Sequence, residues 1–338
     1  MRAVVVGAGA VGARAARQLL FLGDVETLVV VEISRARREA VVESLGAPAT
    51  AGSTDVATAV EGADVVVLSA PAGHREAAEA ALENGASVVS VSDDVETVRA
   101  LLGLDVEATE RGLHVVVGAG FAPGLSCLLA AHAARSFEQV EEIHVAKVGT
   151  GGPGCAQQHH RALRGPAIES RSGVWQQRRG GSGRALTWFP DPVLGVDCYR
   201  AALADPLLLA PAFAGVERVT ARVGATRRDR LTAHLPMLRR PHPDGGLGAI
   251  RVEIRGRQGR VRDDRVLGAV DRPALAAGTV AAVAARWAVD GRLARPGAAG
   301  LAVLAEPGPF LATLADRGVK VAVFEGAGAR ASGSAHQP

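Results

Sequence analysis

Lys147 stands out by its type. The 338-residue chain carries 38 lysines and arginines, and Lys147 and Lys320 are its only lysines. Lys147 lies in an apolar run, "IHVAKVG". A desolvated ammonium gives up its proton readily and can act as an acid near neutral pH. The same segment, "HVAKVGTGGPGCAQQHHRALRG" (144–165), reads as a strand and then a glycine-rich loop, and carries His159 and His160. Neighbours on a helix point about 100° apart, so the two imidazoles cannot share a metal. Either alone can donate a proton. Arg200, in "DCYR", is a candidate grip on a substrate carboxylate, and Tyr199 beside it reads as a core residue. Cys127, Cys155 and Cys198 are odd in number and form no CxxC pair. That spacing speaks for a reduced protein without disulfide framework or zinc site, and no metal is expected. Cys127 is read as a small apolar filler.

A second constellation is "GAGAVG", with Gly7, Gly9, Ala10, Val11 and Gly12. In GxGxxG the first glycine permits the tight turn, the second admits a pyrophosphate, and the third lets helix pack on strand. The pyrophosphate then meets the free amides and positive end of the helix. Glu32 closes the next apolar run, 20 residues after Gly12. A carboxylate there accepts hydrogen bonds from a ribose diol and favours NAD. Arg35, Arg37 and Arg38 follow at once and can clamp a 2′-phosphate, so NADP stays open. Ser69, Ala70 and Pro71 end a later run with side chains small enough for a nicotinamide ribose to pass. Ser92 follows Ser90 in "VVSVSDD", where Asp93 or Asp94 also suits the N-cap of the next helix.

The glycine turn recurs as "GAGFAPG" (118–124). No acidic residue closes a strand 20 residues on, so a second dinucleotide is not expected. With Pro123 at the first helical position, the free amides of that helix suit a substrate carboxylate. Gly120, Phe121, Pro123 and Gly124 are then substrate-side residues. The alternative is a turn needed only for packing.

Elements must hold these residues in place. Apolar runs at 2–7, 27–32, 48–51, 64–69, 87–91 and 114–118 alternate with helical patterns near 10–22, 35–45, 55–61, 74–84, 95–102 and 124–134. Continuous Val and Leu strands, each followed by a helix, predict a parallel sheet covered on both faces, a Rossmann-type doubly wound α/β unit with ligands at the carboxyl ends. From about 140 the texture becomes strands and turns, "EEIHVAKVG", "GRALTWF", "GVERVTARVG", "AIRVEIRG" and "RVLGAV". That predicts a second α+β domain with a mixed or antiparallel sheet. The helix 271–291 has Asp271 as expected N-cap and Gly291 as expected C-cap. The expected division is 1–138 for the dinucleotide, 139–270 for the substrate, 271–325 returning to the first domain, and a disordered tail at 326–338.

Composition narrows the partners. The net charge is +3 and aromatics make up 3%, so the arginine clusters lack the stacking platforms of a nucleic-acid face. The most apolar stretch, 113–131, is broken by His114, Gly118, Gly120 and Pro123 and does not read as a membrane span. The chain enters a strand at once, leaving no room for a signal peptide, and a cytoplasmic location is expected. A small-molecule substrate is the expected partner, and a homodimer is left open.

The order "VVVGAGAVG", "ADVVVLSAPAGH", "SVSDD", "GAGFAPGLSCLLA" and "EPGPFLATLADRGVKVAVFE" resembles the saccharopine dehydrogenase (glutamate-forming) and carboxynorspermidine dehydrogenase group. The resemblance covers about 1–135 and, more loosely, 271–325. It implies a nicotinamide dinucleotide on the first turn and hydride transfer at the carbon of a secondary amine or imine. It also implies that the proline-glycine turn lines the substrate side. That group often carries an aspartate before the proline and another on the fifth strand, where this chain has Ala122 and Ser90. Those carboxylates would grip an ammonium, so the group's amino-acid substrates do not carry over, and 150–260 matches nothing transferable. The reading is an NAD(P)-dependent oxidoreductase acting on a C–N bond of a carboxylated amine or imine. The alternatives are a sugar- or amino-acid-type dehydrogenase and a non-catalytic dinucleotide sensor.

Overall fold

The computed structural model describes residues 1–237 and 241–324. The chain opens with β1 (Arg2–Val6), α1 (Ala10–Leu22), β2 (Thr27–Val31), α2 (Arg35–Leu45), β3 (Ala49–Ala51), α3 (Val56–Ala59) and β4 (Val65–Leu68). It continues through α4 (His74–Glu83), β5 (Ser87–Ser90), α5 (Val95–Leu102), α6 (Asp105–Glu110), β6 (His114–Val116) and α7 (Leu125–Ala134). The six strands pair in parallel in the order β6-β5-β4-β1-β2-β3. Val65 to Leu68 are all buried, as strands covered on both faces require. On α1 the buried Gly12, Ala15, Ala16 and Leu19 form one stripe against the sheet.

The second half runs β7 (Gln139–Val148), α8 (Pro153–Ala162), β8 (Pro166–Arg171), β9 (Val174–Arg179), β10 (Ala185–Trp188), β11 (Gly195–Arg200), α9 (Asp205–Leu209), β12 (Arg218–Gly224), α10 (Arg227–Thr232), β13 (Gly248–Gln258) and β14 (Val261–Asp271). The closing elements are α11 (Pro273–Val289), β15 (Gly297–Ala299), α12 (Leu301–Leu304), α13 (Pro307–Asp316) and β16 (Val321–Phe324). The second sheet is mixed: β12 and β7 are parallel, whereas β13 pairs antiparallel with both β7 and β14. The expected α/β class with a second, mixed sheet is therefore the observed one. Among the described residues no helix is long and apolar enough to cross a membrane.

Four expectations about elements need correction. The glycine-rich segment after β7 is not a continuous loop, because Pro153 starts a ten-residue helix. The closing segment does not return whole to the first sheet: β15 adds to its edge beside β6, but β16 pairs with β14 of the second sheet. α11 is capped at Arg272 and Asp290 instead of Asp271 and Gly291; the Asp271 carboxylate accepts from the Arg272 amide instead. Helix α7 starts at Leu125, two residues beyond Pro123. The expected tail, 326–338, lies outside the described residues.

Alternation along β7 decides which side chains reach the first sheet. Ile143, Val145 and Lys147 are buried on one face, and the facing partners of Lys147 on β12 and β13 are Val223 and Ile250. The next register row, Ala146–Arg222–Arg200, points to the opposite face.

Candidate active site

The first glycine turn is open where a ligand would sit. Gly9 caps α1 with no side-chain cap, and a Cβ built on it meets no atom within 4 Å among the described residues. Its neighbours have no such room. A Cβ on Gly7, where φ is +96°, would lie 2.6 Å from the Ala70 amide, and one on Gly12 would overlap the Gly7 carbonyl. Ala10 and Val11 follow as the first helical residues. Ser69 Oγ donates to the Gly7 carbonyl at 2.8 Å, so the end of β4, with Ala70 and Pro71, is fastened beneath the turn. An open glycine with uncapped amides around it fits a dinucleotide pyrophosphate.

Glu32 lies at the rim of this turn. Its carboxylate accepts from the Ala8 and Ser34 amides, both at 3.0 Å, and from Arg37 at 3.4 Å. Burial alone would raise its pKa; those amides and Arg37 hold it below the usual value. Arg35 is turned outward onto Glu39 at 2.7 Å. At the end of β5, Ser92 Oγ accepts from the Asp94 amide. Asp94 caps α5, accepting from the Thr97 amide at 3.0 Å. Asp93 is left free to face the second sheet.

The second turn is closed. The Leu125 and Ser126 amides, expected to be free, donate to the Gly120 and Phe121 carbonyls at 3.0 and 3.3 Å. Gly118, Gly120, Phe121, Pro123 and Gly124 are all buried. The proposed carboxylate grip is thus taken by the turn itself, because Gly124 at φ +122° folds the chain back on Gly120. What the turn offers the site is the Ala122 carbonyl, which accepts from Lys147 Nζ at 2.6 Å.

Lys147 is the centre of a buried polar group. Its Nζ also donates to Asp93 Oδ2 at 2.9 Å. That oxygen lies 3.0 Å from His159 Nε2, which is itself 3.6 Å from Cys155 Sγ. Gln158 Nε2 donates to Asp94 Oδ1 at 3.0 Å, tying α8 to the cap of α5. Behind them Asp205 accepts from Ser126 Oγ at 2.6 Å, while its other oxygen is buried without a partner. Burial would raise the Asp93 carboxyl, but Lys147 and His159 hold it far below the carboxylate range. Burial works against charge on Lys147, but Asp93 and Asp205 hold its pKa up, so the readily lost proton expected from desolvation alone is not what the site gives. His159 is pushed up to about 9, against burial, by Cys155 and Asp93. Burial opposes ionisation of the Cys155 thiol, and His159 brings its pKa down nonetheless. Burial raises the Asp205 carboxyl.

Of the candidates read from the sequence, Lys147 and His159 come together at the carboxyl edge of the first sheet. His160 does not: it faces α10, with Nε2 3.4 Å from Thr232 Oγ1. Arg200 lies on the far face of the second sheet and pairs with Glu169 at 2.6 Å, so it does not reach this group. Sequence reasoning missed Cys155, Gln158 and Asp205. The spacing Cys155 to His159 was visible, but it places both on one face only once 153–162 is a helix.

Residues 1–91 match the Gfo/Idh/MocA model, described as "Oxidoreductase family, NAD-binding Rossmann fold". The structure is similar to apo saccharopine dehydrogenase (L-Glu forming) from Saccharomyces cerevisiae, with a TM-score of 0.71 and 16% identity over 96% of this chain and 99% of that one. It is also similar to an amine dehydrogenase from Mycobacterium smegmatis, with a TM-score of 0.55 and 16% identity over 90% and 96% of the two chains. At that identity the likeness is one of fold. The first sheet is therefore a nicotinamide-dinucleotide-binding unit of the oxidoreductase type.

Proposed function

We propose that this chain is an NAD(P)-dependent dehydrogenase or reductase acting on the CH–NH bond of a carboxylated amine or imine. The observation that carries the proposal is the buried Lys147. It stands on a strand of the second sheet and bonds to Asp93 and the Ala122 carbonyl at the carboxyl ends of the first. In doubly wound folds ligands lie along that edge. Residues 1–138 form the cofactor side and 139–270 the substrate side in this reading.

When bound, the dinucleotide supplies or accepts the hydride. The chain's own residues do the rest. Gly7, Gly9, Ala10, Val11 and Gly12 receive the pyrophosphate, with Ser69, Ala70, Pro71 and Ser92 along the path of the nicotinamide ribose. Glu32 accepts from ribose hydroxyls, and because Arg37 is already paired with it, NAD is preferred. Lys147, kept charged by Asp93 and Asp205, is the proton donor to the substrate nitrogen. Asp93 and the Ala122 carbonyl fix the direction in which its proton points, and burial excludes competing water. The C–N chemistry follows the sequence resemblance to the saccharopine dehydrogenase group. Two solved proteins of the same fold are by name a saccharopine and an amine dehydrogenase.

The test is nicotinamide turnover with paired keto acids and amines, and in reverse with their secondary-amine conjugates. Lys147→Ala should lower kcat by about 100-fold or more with cofactor affinity unchanged. Turnover of hydroxy compounds alone would move the protein to the sugar-dehydrogenase type.

A further inference from the structure

Cys155, His159 and Asp93 converge on one point of the site. Their ligand atoms all lie within 4.8 Å of one another. Both the Cys155 sulfur and the Asp93 oxygen face the same ring nitrogen, Nε2 of His159. That nitrogen bears at most one hydrogen, so it cannot serve both neighbours with good geometry. A cation between the three would serve all of them.

The spacing suits one kind of cation. A tetrahedral zinc with ordinary bond lengths puts sulfur and nitrogen roughly 3.6 Å apart and nitrogen and oxygen roughly 3.3 Å apart. The observed separations are 3.6 and 3.0 Å. Cys155 and His159 stand one turn apart on α8, which aims both to one side. Asp93 closes from the end of β5. Cys127 and Cys198 are buried, whereas Cys155 is partly exposed. Thiolate, imidazole and carboxylate together select zinc-like ions over magnesium or calcium. Two anions and a neutral imidazole balance a divalent charge. Lys147 shares the Asp93 oxygen, but it keeps the Ala122 carbonyl, and the half-unpartnered Asp205 lies behind it as a counter-charge.

We propose that Cys155, His159 and Asp93 hold one zinc-type divalent ion, with the fourth position open to the substrate. Metal binding follows from these three residues alone. Its consequence, polarisation of the substrate's reacting heteroatom, rests on the function proposed above.

The full-length protein, stripped by chelator and reloaded with cobalt(II), should retain one metal per chain. It should show tetrahedral d–d bands and a thiolate-to-cobalt charge-transfer band in the near ultraviolet. Cys155→Ser should abolish the charge-transfer band, and His159→Ala should lose retention of the metal. Their affinities should fall by more than the roughly 10–100-fold typical of losing a supporting partner. His160→Ala, on the same helix but facing away, should leave the spectrum unchanged. A folded wild-type protein without the charge-transfer band, or a band that survives Cys155→Ser, overturns the proposal. Turnover of an amine by metal-free protein at the full rate overturns the metal's role and leaves the C–N reading standing. A bound metal with no turnover on any amine or imine overturns only the C–N reading.

Discussion

The two glycine turns share almost the same letters and do opposite work. "GAGAVG" leaves its helix end open, with space over Gly9. "GAGFAPG" closes its own helix end, giving the Gly120 and Phe121 carbonyls to the amides of α7. The difference comes from Gly124, whose φ of +122° returns the chain onto Gly120. A helix end with unpaired amides needs a ligand or water; one that is already paired is a fixed support. The open turn receives, and the closed turn holds Lys147.

The sharpest way to break this contrast is to exchange damage between the turns. Gly9→Asp should weaken dinucleotide binding by at least about 100-fold, through a carboxylate set against the pyrophosphate, with an unchanged melting curve. Gly124→Ala should do the reverse. Its Cβ would overlap the Gly120 backbone at a strained φ, costing on the order of 3 kcal/mol in a denaturant melt. Dinucleotide affinity of the folded fraction should hold. A stable Gly124→Ala that cannot bind dinucleotide would show the turns sharing one ligand.

A smaller effect sharpens the open side. Glu32→Ser removes the carboxylate that repels a 2′-phosphate and should shift selectivity toward NADP by roughly tenfold, about 1.4 kcal/mol, by calorimetry. The same variant tests linkage. The folded carboxyl is held below its ordinary pKa, so the stability it adds is full above the usual carboxylate range. It fades as pH falls through the lowered value. Acid melts of the wild type should lose that increment, and those of Glu32→Ser should not. Smallest of all is Arg35→Ala. Because Arg35 is spent on the exposed Glu39, affinity for either dinucleotide should stay within about twofold. A larger loss of NADP binding would return Arg35 to the cofactor side.

Much of the first sheet was legible because Val and Leu runs fill β1, β2 and β4. β15 was not, since Gly-Ala-Ala holds no bulky apolar residue to mark a strand. Helix α8 was hidden because "GTGGPG" reads as loop up to the proline that starts it. In the site, Lys147 was found by its rarity as a type. Asp93 was confounded with Asp94, because either can cap α5 and only three dimensions show that Asp94 does so. Arg200 was misplaced because strand alternation needs a register, and the register comes from neighbouring strands far along the chain.

Gly278, in the middle of α11, sits against α1 so closely that a Cβ there would lie 2.8 Å from the Val11 carbonyl and 2.7 Å from the Arg14 Cβ. The helix that begins the dinucleotide site is thus seated by a helix far downstream of it in the chain. During translation the first strands emerge long before their final covering, and the α1 surface that meets Gly278 stays exposed until α11 leaves the ribosome. A chain interrupted anywhere before Gly278 carries the whole phosphate-binding motif without the helix that clamps it. For this protein, maturity of the phosphate-binding turn waits on a segment that is made well after it.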